Sequence, residues 1–600
     1  MSGGHLICEM LSTGEMCDSF PTRSRGHMPN DIDVRRLRII AQDPSVRQLR
    51  GRNSGSILTA HVQIPAEDLR AGPWGYRVQV IDYDASSQIA FKPFDSLSAT
   101  TPDRYHDVSD ARILKDPRFH CQNVYALVMH TLARFEHALG RRLRWGFGSH
   151  HLIVLPHAFR GANAYYSPRD HALLFGYFAG AAERTIYTCL SHDVIVHETT
   201  HALLHGLRER FNDPSSPDQA AFHEGFADVV ALLSVFSLHE VAAVILNHTS
   251  PVASPNAEDS GLISDKAVSV KALRSSGLLG LAEELGRELA GVRGNALRRS
   301  VELSPSPTYY KDVPEFRQPH RRGEIFVAAV MNTFVEIWAG RIENLREVRP
   351  GFISRDHVIN EGAEIAEILL TAVIRAVDYT PQIHIEFGDF LSAVLTSDRE
   401  ARPRDEKYHL RVHMRRTFAN YGILPASNLV EGEWEPAPSG LSYRNIHLDS
   451  MRSAPDEVFR FIWQNAEALN VNKEAYSRVL SVRPTRRVSQ DGFMLEETVA
   501  EHHQTIILKA RELKRLEIKK PIGMPSDFEV RLRGGGTLIF DEFGRLKYHI
   551  HNDIVDAKRQ SRRLKDLWAL GIFDARSRDF SQIHRSRAIK LSHDTREEEW

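Results

Sequence analysis

The stretch Asp193-Val194-Ile195-Val196-His197-Glu198-Thr199-Thr200-His201 decides how the rest of the chain is read. From Asp193 to about Ile423 almost every segment has helical period, so these residues belong on a helix. Residues four apart on a helix share a face, so His197 and His201 can present two imidazoles to one metal ion. Glu198 follows the first histidine and can reach a water on that metal as a general base. Asp193, one turn before His197, complements the positive end of the helix. By itself, in a chain with 30 histidines, the pattern arises by chance in roughly one chain in ten of this length.

The next helical segment strengthens the reading. His223-Glu224-Gly225-Phe226-Ala227-Asp228 runs on into Val229, Val230, Leu232 and Leu233. Ser216-Pro217 supplies a cap and a first-turn proline. A zinc site that does chemistry needs a third protein ligand and one open position. Glu224 supplies that ligand, and Asp228, on the same face, can accept the second N–H of a ligand histidine. The bland alternative is a solvated acidic face, which the strongly apolar run disfavours. His223 faces elsewhere and is set aside as a ligand.

With these residues in place, the chain resembles the thermolysin-like (gluzincin) zinc metallopeptidases over about residues 110–424. HETTH followed by Glu-x-x-x-Asp is the gluzincin pattern. Upstream, Gly161-Ala162-Asn163-Ala164-Tyr165-Tyr166, followed by Leu173-Leu174-Phe175-Gly176, looks like the edge-strand segment that pairs with substrate backbone. Downstream, Gly294-Asn295-Ala296-Leu297-Arg298 looks like the segment whose arginine holds a substrate carbonyl. Glu315, His320, Gly323 and Ile325 resemble a family segment in which the histidine stabilises the oxyanion and the acid orients it. Val412 to Ile423 looks like the family's last helix.

The resemblance implies one zinc per chain, held by His197, His201 and Glu224, with Glu198 and His320 as the catalytic residues. It further implies Asp228 and Glu315 as their supporting acids, and Asn163, Ala164 and Arg298 as substrate-binding residues. The implied activity is zinc-dependent hydrolysis of peptide bonds by an endopeptidase, with a peptide or protein as substrate. Two other readings stay open. An aminopeptidase of the gluzincin type would need an acid to hold the free amine, where this chain has Gly161-Ala-Asn-Ala-Tyr. A catalytically weak zinc-bearing regulatory or binding protein would have little use for Glu198. Two departures stand out: Glu315 replaces the usual aspartate, and the family's oxyanion tyrosine has no tyrosine counterpart, Phe211 and Asn212 standing nearest. Calcium is not expected, because acidic clusters of the calcium-binding kind are not evident beyond Asp193.

The implied fold is α+β: a two-lobed metallopeptidase core, with a mixed β/α N-lobe and a mainly helical C-lobe. Residues 1–30 read as disordered, 31–105 as a β-rich N-terminal region, and 106–425 as the peptidase domain. Pro436, Pro438 and Gly440 mark a linker at 426–442, and 443–600 reads as a further α+β region. That region carries helical stretches near Pro455–Leu469 and Glu497–Leu516. It also carries a hairpin from Thr537–Phe540 to Leu546–Ile550. A length of 600 residues agrees with several domains. Lys and Arg number 76 against 77 for Asp and Glu, so no nucleic acid or anionic membrane is expected as a partner. Cys8, Cys17, Cys121 and Cys189 show neither zinc-ribbon spacing nor a disulfide framework. With no signal peptide visible at the N-terminus, a cytoplasmic location is expected.

Overall fold

The computed structural model describes residues 34–42, 44, 57–180, 185–213, 215–249, 261–273, 300, 303–308, 310, 313–345, 348, 351–488, 492–569 and 571. Arg298 and the segment 1–30 lie outside these residues. The chain is mixed α+β and divides into two compact units. Among the described residues, one unit holds those up to Ala133 together with Arg144–Ala202. The other holds Arg134–Leu143 and everything from Leu203 onward.

In the first unit, β1 (Val34–Ile40) and β2 (Thr59–Pro65) form an antiparallel ladder. A small ladder joins β4 (Tyr83–Asp84) to β5 (Ile89–Ala90). The helix α1 (Pro117–Leu139), whose residues from Arg134 on belong to the second unit, buries Val124, Leu127, Val128, Leu132 and Phe135, the residues whose spacing predicts it, and Gly140 ends it at φ 65°. The main sheet runs in the order β3 (Val78–Val80), β6 (Leu152–Arg160), β8 (Ala172–Ala179), β7 (Ala164–Ser167), and β9 (Thr185–Tyr187) pairs with the end of β8. β3, β6 and β8 are parallel, and β7 runs antiparallel at the edge. β3 comes from the region that the sequence sets apart as 31–105, yet it belongs to the same sheet as the edge strand. β6 is buried along most of its length, so it reads as a continuous apolar run rather than an alternation.

The helix α2 (His192–Leu207) carries the HETTH stretch. In the second unit follow α3 (Pro217–Phe236), α4 (His239–Thr249), α5 (Pro319–Glu343), α6 (Arg355–Ala376), α7 (Phe387–Ala401) and α8 (Leu410–Asn420). The Ser216 side chain accepts the Gln219 N–H at 3.1 Å and Pro217 occupies the first turn, the cap that the sequence indicates. Gly225 of α3 meets Gly323 of α5 so closely that a Cβ on Gly225 would stand 3.0 Å from the Gly323 carbonyl oxygen. The helix α5 is long and apolar enough to cross a membrane by composition. However, 78% of its most apolar window is buried inside the protein, as in a core helix. A short ladder pairs β10 (Leu262–Ser264) with β11 (Phe352–Ser354).

Residues 443–571 join this second unit. They contribute α9 (Pro455–Gln464), an antiparallel sheet in the order β12 (Tyr476–Val488), β13 (Met494–Lys509), β14 (Glu529–Phe540), β15 (Leu546–Asn552), and α10 (Ala557–Ala569). The hairpin turns at Asp541–Gly544 as expected, with the Asp541 carboxylate accepting the N–H groups of Phe543 and Arg545. The stretch expected as a helix at Glu497–Leu516 is instead strand β13 followed by a 3-10 turn, Ala510–Leu516. β13 is paired on both sides, and Glu497–Gln504 are all buried, so the alternation that marks a strand is missing. Buried ion pairs tie the sheet to the helices of the unit. Arg487 bridges Asp378 and Glu497, and Arg208 pairs with Glu501.

Candidate metal centre

The two threonines of the HETTH stretch turn inward along α2. Thr199 Oγ1 donates to the Ile195 carbonyl at 2.7 Å and Thr200 Oγ1 to the Val196 carbonyl at 2.8 Å. At the helix start, Ser191 Oγ donates to Asp193 Oδ1 at 2.6 Å, which fixes the acid in the first turn. His197 and His201 then share a face. Their Nε2 atoms stand 2.9 Å apart, with the rings nearly perpendicular at 88° and their centroids 4.5 Å apart. Both rings are buried. Ligand atoms of His197, Glu198 and His201 all lie within 4.8 Å of one another.

This donor set fits a zinc-type ion. Two Zn–N bonds of ~2.0 Å at a tetrahedral angle hold their nitrogens about 3.3 Å apart. The rings therefore need only part by a few tenths of an ångström. Glu198 is buried beside them, and its Oε2 accepts the Tyr166 N–H at 2.9 Å. Tyr166 lies on β7, the edge of the sheet. Successive N–H groups on a strand point to opposite sides. The Asn163 carbonyl faces β8, where it accepts the Gly176 N–H at 2.8 Å. Ala164 and Tyr166 therefore turn their backbone groups to the outer edge.

The other candidate residues fall in the second unit. Glu224 is buried on α3, and Asp228, half-buried, lies one turn further along. His320 sits in the first turn of α5 with its side chain 41% exposed, and its Nδ1 lies 3.4 Å from Glu224 Oε2. Glu315 has a different partner from the one the resemblance implies: it forms a 2.7 Å ion pair with Arg321 Nε. Arg321 also pairs with Glu324, so a guanidinium rather than an imidazole neutralises this acid. The sequence sets His223 aside. The structure buries it and places a ring nitrogen within 4.8 Å of a Glu224 carboxylate oxygen. Adjacent side chains on a helix diverge at the backbone but can converge at their tips, which a spacing rule does not register. Phe211, nearest to the family's oxyanion tyrosine, is buried in a 3-10 turn, Glu209–Asn212. No protein-family model matches the chain, and no curated protein matches it.

Proposed function

We propose that the chain is a zinc-dependent endopeptidase of the thermolysin-like type, with His197, His201 and Glu224 as the metal ligands. The observation that carries this reading is the buried pair of imidazoles on α2 beside Glu198, whose carboxylate is held by an edge strand. Zinc, when bound, supplies Lewis acidity and brings the pKa of water down to about 7. Glu198 takes the proton from the attacking water and delivers it to the leaving amine. The Tyr166 N–H aligns its carboxylate for that transfer. The outer edge of β7 offers Ala164 backbone groups to an extended peptide, which docks as an added strand. The Asn163 side chain and Arg298 position the same peptide. His320 donates to the developing oxyanion, a contact worth roughly 3–4 kcal/mol in comparable sites. Asp228 holds a ligand histidine in its metal-binding tautomer.

An endopeptidase is favoured over an aminopeptidase because Gly161-Ala-Asn-Ala-Tyr contains no acid to hold a free amine. The competing reading, a zinc-bearing binding protein without hydrolysis, draws on Phe211 standing nearest to the family's tyrosine. Cleavage-site profiling of N-blocked and free peptides by mass spectrometry tests all three. Internal cleavage that a chelator abolishes is expected. The Glu198→Gln variant should keep its metal and lose about 10²–10⁴-fold in turnover. Chelator-resistant cleavage, or wild-type turnover in Glu198→Gln, would sink the proposal.

A further inference from the structure

A second group of ligand-type side chains lies in the first unit: His120 on α1, His157 on β6, and Cys189 in the 3-10 turn just before α2. All three are buried, and their ligand atoms lie within 4.8 Å of one another. The hydrogen bonds around the two rings settle where their protons sit. His120 Nε2 lies 3.0 Å from the Leu114 carbonyl oxygen, which can only accept, so Nε2 carries the proton. His157 Nδ1 lies 2.7 Å from Asp82 Oδ1, so Nδ1 carries the proton there.

The remaining nitrogens, His120 Nδ1 and His157 Nε2, face each other at 2.8 Å. In neutral rings both are lone pairs, and two acceptors at that distance repel unless a positive charge lies between them. Aromatic rings stand beside the two imidazoles. Tyr187 stands 4.8 Å from His120 and 5.3 Å from His157 between ring centroids, and Phe91 stands 5.9 Å from His157. The Cys189 Sγ lies 4.0 Å from His157 Nε2, too far for a firm hydrogen bond and within reach of a shared ion.

We propose that His120 Nδ1, His157 Nε2 and Cys189 Sγ bind a second metal ion, a borderline-to-soft transition-metal cation of the zinc or copper class. The thiolate selects against magnesium and calcium. Asp82, through its bond to His157 Nδ1, orients the ligand ring in the carboxylate–histidine arrangement typical of metal sites. Its other oxygen, Oδ2, lies 3.9 Å from Cys121 Sγ. Such an ion would tie α1 and β6 to the turn before α2.

The site can be read apart from the α2 pair because only it contains a thiolate. The full chain carrying His201→Ala, produced in cobalt-supplemented minimal medium, should retain about one metal ion. It should also show a near-ultraviolet thiolate-to-cobalt charge-transfer band. Adding Cys189→Ser should abolish both, while Cys121→Ser should leave both. His157→Gln is the parallel variant should Cys189→Ser fold poorly by circular dichroism, and it should also abolish both. A folded His201→Ala protein without the band overturns the proposal. So does a band that survives Cys189→Ser or His157→Gln. This result is independent of peptide hydrolysis, so its failure and that of the peptidase reading are distinguishable.

Discussion

Two pairs of histidines in the first unit bring ring nitrogens equally close and arise in opposite ways. On α2, His197 and His201 bring their Nε2 atoms to 2.9 Å. At the Asp82 cluster, His120 Nδ1 and His157 Nε2 approach to 2.8 Å. The first pair sits on one helix, four residues apart, beside a carboxylate held by an edge strand. The second comes from two elements, with its carboxylate bound to one of the rings and aromatic rings around it. Under the two proposals above, each pair of facing ring nitrogens would hold a cation. What accompanies them would set its use: a base beside a sheet-edge strand would suit hydrolysis, and a buried cluster with a thiolate would suit an ion that joins separate elements.

The sharpest way to break this comparison is His201→Ala. Loss of one metal equivalent and of all measurable hydrolysis is expected, with the other equivalent retained, by elemental analysis and peptide assay. Retention of both equivalents would remove the α2 pair as a ligand pair. A smaller effect separates the two units. His320→Ala should lower kcat by about 10²-fold with metal content unchanged. An unaltered kcat would make the 3.4 Å approach of His320 to Glu224 a surface contact only. The smallest effect belongs to Asp82→Asn. An asparagine side chain can present its N–H₂ to His157, so the ring loses its fixed tautomer. Metal affinity at the second cluster should fall about 10–100-fold, read as faster loss of the cobalt–thiolate band to a competing chelator. Hydrolysis should stay within about two-fold of wild type, because the α2 pair is untouched. An equal loss of hydrolysis would show that the two clusters act as one.

Much of the first site is legible in the sequence. HETTH puts two ligand-type nitrogens on one helical face whatever the surroundings, and the α1 residues Val124, Leu127, Val128, Leu132 and Phe135 announce a helix in the same way. The Ser216-Pro217 cap is legible because a cap depends on residues a few positions apart. Where burial is two-sided the signal fades. β13 hides its strand because both of its faces are covered, and its apolar and polar residues then lose their alternation. Residues 426–442 look like a linker by composition, yet Arg487, Asp378 and Glu497 join residues on both sides of it in buried ion pairs. Charged residues read as surface in a sequence, and only the fold shows that they have been paired out of water.

The sequence by itself determined what depends on short spacing. It placed HETTH, with its two histidines and glutamate, on one helix and set Glu224 and Asp228 one turn apart on the next; the family resemblance put Gly161–Tyr166 in an edge-strand segment. Tertiary structure decided what depends on distant segments meeting. It brought Asp82, His120, His157 and Cys189 together, gave Glu315 to Arg321, and laid the Tyr166 N–H on Glu198. The reason is geometric. Helical and strand periods fix the relative directions of side chains a few residues apart. The separation between segments far apart in the chain is fixed only when the core closes around them.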